Sequence, residues 1–115
     1  IEGHGNVVNM GSMIDTVISN TLKLTQAGDK DIAIALETLT KAIGETNDFE
    51  DAEKQQYLEQ LTTLSDEALK PVDKRLPKSV LQNIFNYGLG TLGAAGNVAQ
   101  IWSTWGPVIK GYFLG

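Results

Sequence analysis

The chain has 115 residues, a net charge of −5 at pH 7 and no cysteine. A single domain of this size buries roughly two-thirds of its unfolded surface, and a hydrophobic content of 42% argues against global disorder. The acidic balance excludes typical nucleic-acid binding, and the missing thiols exclude disulfides, thiolate metal sites and thiol catalysis.

Residues 1–27 are predicted to form an N-terminal arm that is extended or partly helical. Val7 and Val8 make a short β-prone island between asparagines, which could add a strand to the sheet edge of a neighbour. Residues 12–26 fit helical spacing, with Ser12 and Asp15 in a capping-box pattern, but they also fit period-two alternation. We slightly favour the helix.

Two charged, amphipathic helices are predicted next, at about 29–44 and 48–70. In the first, apolar residues recur at helical spacing, at Ile32, Leu36, Leu39 and Ile43. Pro71 ends the second. The two helices form a predicted antiparallel hairpin, which cannot bury both apolar stripes alone, so the next segment is expected to supply a third wall.

That segment, residues 79–109, contains no charged residue and lies between Lys78 and Lys110. It predicts a long third helix over about 78–105, broken at Gly106–Pro107. The expected packing anchors of this helix are Trp102, Trp105 and Phe113. The predicted fold is therefore mainly α: an arm or strand at 1–27, then a three-helix domain at 28–115 that joins the hairpin to a glycine-punctuated, apolar C-terminal helix.

The third helix carries a pattern that we call the polar seam. Its members are Asn83, Asn86, Gly90, Gly93, Asn97, Gln100 and Thr104. Their alternating spacing of three and four keeps them on one face of a left-handed supercoiled helix. The seam fits a solvent face, a close contact with another chain, or the lumen of a membrane oligomer. The lack of Lys and Glu, together with the central glycines, favours contact with protein.

No constellation typical of catalysis is found in the sequence. His4 is the single histidine and lies among glycines, without the partners of a catalytic base or a metal ligand. Gly88, Gly90 and Gly93 match the letters of a dinucleotide motif, but no strand precedes them. We therefore predict a protein that is not an enzyme and has no cofactor or metal.

Two short stretches carry a resemblance. Residues 5–12 (GNVVNMGS) and 101–107 (IWSTWGP) resemble poorly characterised C-terminal helical modules of bacterial, notably cyanobacterial, multidomain proteins. The resemblance implies an accessory or assembly module appended to an effector or signalling protein. The chain begins with Ile1, and we expect it to be the C-terminal part of a longer, cytoplasmic protein.

The predicted function is that of an oligomerisation or protein-interaction module. Its expected partner is a second copy of the chain or another protein, and its predicted site is the polar seam. The alternative is a membrane-active or pore-forming segment that uses residues 79–109.

Overall fold

The computed structural model describes the backbone of residues 2–94 and 96–115, and the side chains of residues 10–93 and 96–115. These residues form five α-helices and no strand, so the fold is mainly α as predicted. The helices are α1 (Glu2–Gln26), α2 (Lys30–Glu45), α3 (Asp51–Leu69), α4 (Lys78–Asn83) and α5 (Gly96–Leu114). A 3-10 turn at Val72–Lys74 connects α3 to α4.

Of the two forms predicted for the N-terminal arm, the extended one is wrong, because the backbone is helical over Glu2–Gln26. Val7 and Val8 lie within α1, so their backbone offers no strand edge, and their side chains lie outside the described residues. Further along, Val17, Thr21 and Leu24 are buried at helical spacing. Burial of this face stabilises the helix and outweighs the β-propensity of the branched residues.

The segment predicted as an N-terminal arm packs against the predicted hairpin. The α2 and α3 helices match the predicted hairpin to within three residues at each end. However, α1 contacts each of them more extensively than they contact each other. The α1 helix therefore closes the hairpin, and its buried residues Val17 and Leu24 belong to the same hydrophobic core as those of α2 and α3.

The predicted continuous helix over 78–105 is replaced by a second helical hairpin. After α4 the chain forms a π-helical turn at Ile84–Gly88 and a 3-10 helix at Leu89–Ala94, and then folds back into α5. Lys78 Nζ consequently lies 3.5 Å from the carbonyl oxygen of Leu114, at the opposite end of the segment. We call residues 78–114 the C-terminal hairpin, with a first arm (78–94) and a second arm (α5).

Both arms are amphipathic, which explains the reversal. The buried residues are Leu81, Phe85, Leu89 and Leu92 on the first arm, and Val98, Trp102, Ile109 and Phe113 on the second. One straight helix could not place all of these against α2 and α3, whereas two short antiparallel arms can. Two glycines permit the path: Gly96 has a φ of +39°, and a Cβ at Gly90 would collide with the carbonyl oxygen of Phe85.

The predicted break at Gly106–Pro107 is absent, since α5 continues through it. Pro107 cannot donate to the carbonyl of Ser103, but both residues are exposed, so water can replace that bond. Gly106 lies against the indole of Trp102, where a Cβ would sit 3.0 Å from two ring carbons. The Gly-Pro pair therefore fits a helix whose one side is solvated and whose other side is tightly packed.

A buried carboxylate, Glu67, organises the junction between α3 and the C-terminal hairpin. The residue is 4% exposed and accepts hydrogen bonds from Lys70 Nζ and, at 2.6 Å, from the backbone N–H of Leu76. Burial by itself raises the pKa of Glu67. The hydrogen bonds from Lys70 and Leu76 and the positive charges of Lys70 and Arg75 outweigh it, so the pKa lies below its ordinary value.

Stability is therefore expected to depend on the ionisation of Glu67. A lowered folded-state pKa contributes stability above the unfolded value of about 4.3, and that contribution is lost as the pH falls through the folded pKa. We expect the stability difference between the wild type and Glu67→Gln to shrink below about pH 4. Urea unfolding between neutral and acidic pH measures it, with the exposed Glu59→Gln as control. Identical profiles for the two variants would contradict this role.

Arg75 connects the end of α3 to the end of α5 through hydrogen bonds. Its Nε donates to the carbonyl of Glu67 at 2.9 Å, and its Nη2 donates to the carbonyl of Ala68 at 3.1 Å and to the Tyr112 hydroxyl at 2.9 Å. The guanidinium also lies 4.8 Å from the ring centroid of Tyr112. Together these contacts hold the second arm against the hairpin of α2 and α3.

Candidate interaction surface

The polar seam lies on both arms of the C-terminal hairpin and not on one rod. Six of its seven residues are exposed, and Gly90 is half-buried. The chain reverses between Gly93 and Asn97, so the heptad spacing does not correspond to one continuous helical face. In the single chain Asn86, Gly93 and Asn97 are open to solvent, and its own elements therefore do not shelter the seam.

The seam glycines have different roles from those predicted. Gly90 is required by the carbonyl of Phe85 in its own arm, so its small size does not indicate the approach of another helix. A Cβ at Gly93 would meet Trp102 at an ordinary van der Waals distance of 3.8 Å. Among the seam residues, only the amides and Thr104 thus remain as indicators of an interaction site, because the hairpin's own packing accounts for the glycines.

The exposed residues between 79 and 109 lie on both arms of the C-terminal hairpin, and together we call them the uncharged face. Its polar members are Ser79, Gln82, Asn83, Asn86, Tyr87, Thr91, Asn97, Gln100, Ser103 and Thr104, with Val80, Gly93, Gly96 and Pro107 between them. The exposed surface of the other helices, by contrast, is charged. It includes the charged residues Asp15, Lys23, Lys30, Asp31, Lys41, Glu59 and Asp66.

Tyr87 is not among the residues selected by the sequence pattern, although it is 80% exposed and lies in the π-helical turn. The heptad pattern selected Asn86 and Gly90 and did not include Tyr87, which directly follows Asn86. Tyr87 lies four residues after Asn83, so helical spacing alone places it beside the seam. An exposed tyrosine is a frequent anchor of protein interfaces, because it supplies a large apolar area and a hydroxyl together.

Side chains of α3 contact the π-helical turn and the residues that follow it. The Tyr57 hydroxyl lies 2.6 Å from Thr91 Oγ1, which in turn donates to the carbonyl of Gly88 at 2.9 Å. A Cβ at Gly88 would overlap the side-chain amide of Gln60, so the turn lies directly on that side chain. Tyr87 therefore projects from a turn that is supported by a helix of the core.

Of the predicted packing anchors, Trp102 and Phe113 are buried and Trp105 is half-buried. Phe113 contacts Phe85 of the first arm, with ring centroids 6.3 Å apart. Lys110 Nζ lies 5.6 Å from the centroid of the Trp102 ring. These residues hold the two arms together beneath the uncharged face.

The uncharged face lies between a basic and an acidic end. Lys78 begins the first arm, and its Nζ lies 3.5 Å from the carbonyl oxygen of Leu114 at the end of the second. At the other end Glu45 and Asn97 line a common depression, and the carboxylate of Asp48 lies against Gly96. Lys54 Nζ lies near this end as well, 3.4 Å from the carbonyl oxygen of Gly44, so one lysine accompanies the two carboxylates there.

The described residues contain no group of three or more histidine, aspartate or glutamate side chains able to hold a metal ion. The side chain of His4 lies outside the described residues. Across that same part of the chain, every helix is too short or too polar to cross a membrane. Comparisons with protein families, with curated proteins and with solved structures found no match to this chain.

Proposed function

We propose that this chain is a non-enzymatic protein-interaction module that docks another polypeptide on its uncharged face. The observation that carries the proposal is the exposure of this face together with its lack of charge. Solvent faces of small acidic domains usually contain Lys and Glu, which favour solubility. Interface centres are depleted of charge and enriched in tyrosine; this face carries no charge and exposes Tyr87.

The energetics of desolvation support the same proposal. Removing a charged group from water costs far more than removing an amide or a hydroxyl, which recovers most of the loss through one new hydrogen bond. A partner can therefore cover Asn86, Asn97 and Gln100 without having to neutralise a buried charge. Tyr87 at 80% exposure supplies the apolar area that amides lack.

The resemblance to C-terminal modules supports a biological setting for this activity. As part of a larger bacterial effector or signalling protein, the module would bring its neighbouring domains to a partner or to each other. The role requires no acid, base, nucleophile or metal.

Site-specific photo-cross-linking tests the proposal. A benzophenone amino acid is placed at Tyr87, or at Leu22 of α1 as a control that is also apolar and 61% exposed. We expect a discrete protein adduct from position 87 in cells that produce the full chain, and none from position 22. The adduct should disappear when Ser103→Lys introduces a charge on the uncharged face, but not when Ser19→Lys does so on α1.

Two results would contradict the proposal. One is the same adduct pattern from positions 87 and 22, which would indicate non-specific capture. The other is an adduct at position 87 that survives Ser103→Lys, since a charge within a true contact destabilises it.

A further inference from the structure

We infer that the partner of the uncharged face is a second copy of this chain, bound antiparallel about a twofold axis. The inference rests on the proposed function and names the partner of that same surface. Three properties of the described residues carry it: the hydrogen-bonding character of the face, its charge, and the polarity of its two ends.

First, the polar residues of the face can pair with themselves. A twofold interface brings one patch against an identical patch, so residues near the axis meet copies of themselves. An amide or a hydroxyl both donates and accepts, whereas an ammonium only donates and a carboxylate only accepts. Every polar side chain of the uncharged face is an amide or a hydroxyl.

Second, charge restricts where two copies can meet. Each copy carries a net charge of −5, so the charge-rich surfaces of two copies repel each other on balance. Like charges that face each other across an interface disfavour the pairing. The uncharged face avoids this repulsion at its centre.

Third, the ends of the hairpin select the antiparallel arrangement. Lys78 lies at one end of the face, and Glu45 and Asp48 lie at the other. A parallel pair would place acidic end beside acidic end. An antiparallel pair places Lys78 of each copy beside the carboxylates of the other, twice over.

The size of the face sets the expected strength. It offers fewer exposed residues than the roughly 20–30 per partner of a standard stable interface. The dimer should therefore be reversible and dependent on concentration. Because a twofold contact closes on itself, association should stop at the dimer.

Sedimentation of the full chain over a wide concentration range tests the inference. We expect a monomer–dimer equilibrium, and we expect Ser103→Lys to raise the dissociation constant at least about tenfold. Ser19→Lys adds the same charge to an exposed serine of α1 and should leave the constant unchanged. Since both variants lower the net negative charge equally, a general electrostatic effect would act on both.

A charge exchange tests the antiparallel geometry. Lys78→Glu should weaken the dimer, and adding Glu45→Lys in the same chain should restore it. Both replacements suit the local helix dipoles, because Lys78 begins α4 and Glu45 ends α2, so loss of the fold does not explain the weakening. Failure of the second change to restore the dimer would overturn the arrangement.

The remaining outcomes separate this inference from the proposed function. A chain that stays monomeric at every concentration, but still gives a charge-sensitive adduct with a different protein at position 87, overturns self-association and leaves the docking surface intact. Species larger than the dimer overturn the twofold contact. A dimer that tolerates Ser103→Lys shows that the copies meet elsewhere.

Discussion

Replacing Arg75 by alanine is expected to lower the free energy of unfolding by about 2–4 kcal/mol. The change removes donors to the carbonyls of Glu67 and Ala68 and to the Tyr112 hydroxyl, together with the stacking of the guanidinium on the Tyr112 ring. It also removes a positive charge near the buried Glu67. Because these contacts join α3 to α5, their loss loosens the second arm. Urea unfolding at neutral pH measures the effect.

Two further variants separate this cause from a general loss of charge. Lys74→Ala removes an adjacent, exposed cation and should change stability by no more than about 0.5 kcal/mol. Arg75→Lys retains the charge but not the planar fork of donors, so most of the loss should remain. Equal stability of the Arg75→Ala and Lys74→Ala proteins would show that the junction does not depend on the guanidinium.

Replacing Gly90 by alanine is expected to destabilise the fold by about 1–3 kcal/mol, although alanine normally favours a helix. The added Cβ would overlap the carbonyl oxygen of Phe85, a backbone atom that cannot rotate away as a side chain can. The π-helical turn must then shift, and Phe85 and Leu89 leave their buried positions. Thermal unfolding followed by circular dichroism detects the loss.

Gly111 provides the matched control, since it lies in α5 and no atom lies within 4 Å of the position that a Cβ would occupy there. The same replacement at this site should stabilise the protein by up to about 1 kcal/mol, as expected for an exposed helix interior. If both variants changed stability in the same direction, the collision at Gly90 would not be the cause.

Local sequence patterns were sufficient to predict α2 and α3. Apolar residues recur at spacings of three and four in both, and Glu53 accepts a hydrogen bond from the backbone N–H of Glu50 at 3.2 Å, which fixes the start of α3. The helical state of α1 depends on the groove between α2 and α3. The α1 sequence is rich in Ile, Val and Thr and fits both helical and period-two spacing. The groove is formed by other parts of the chain, so the local sequence of α1 does not reveal it.

The reversal of the C-terminal segment was missed for a different physical reason. Charged residues normally mark which side of a helix faces water, and residues 79–109 contain none. Glycines at 90 and 96 suit a close contact between helices and a turn equally well when only spacing is considered. The way the two arms pack against the core depends on contacts between residues far apart in sequence, such as Tyr57 with Thr91 and Arg75 with Tyr112.

The seam residues lie on two antiparallel arms and not on the single helix that the sequence pattern predicted. Asn86, Asn97 and Gln100 do lie at the surface, as a polar stripe would, whereas Gly90 belongs to the packing of its own arm. Tyr87 was passed over because a strict heptad admits only one of two adjacent residues.

The composition of the uncharged face also determines which reagents can detect a contact there. Between Lys78 and Lys110 no side chain carries a primary amine or a carboxylate, so amine-reactive esters and carbodiimides have nothing to modify. Trypsin likewise has no cleavage site within this stretch and releases it as a single peptide, residues 79–110. A footprint of this surface must therefore come from hydroxyl radicals or backbone amide exchange, and a tryptic digest will report every radical-labelled position from one fragment.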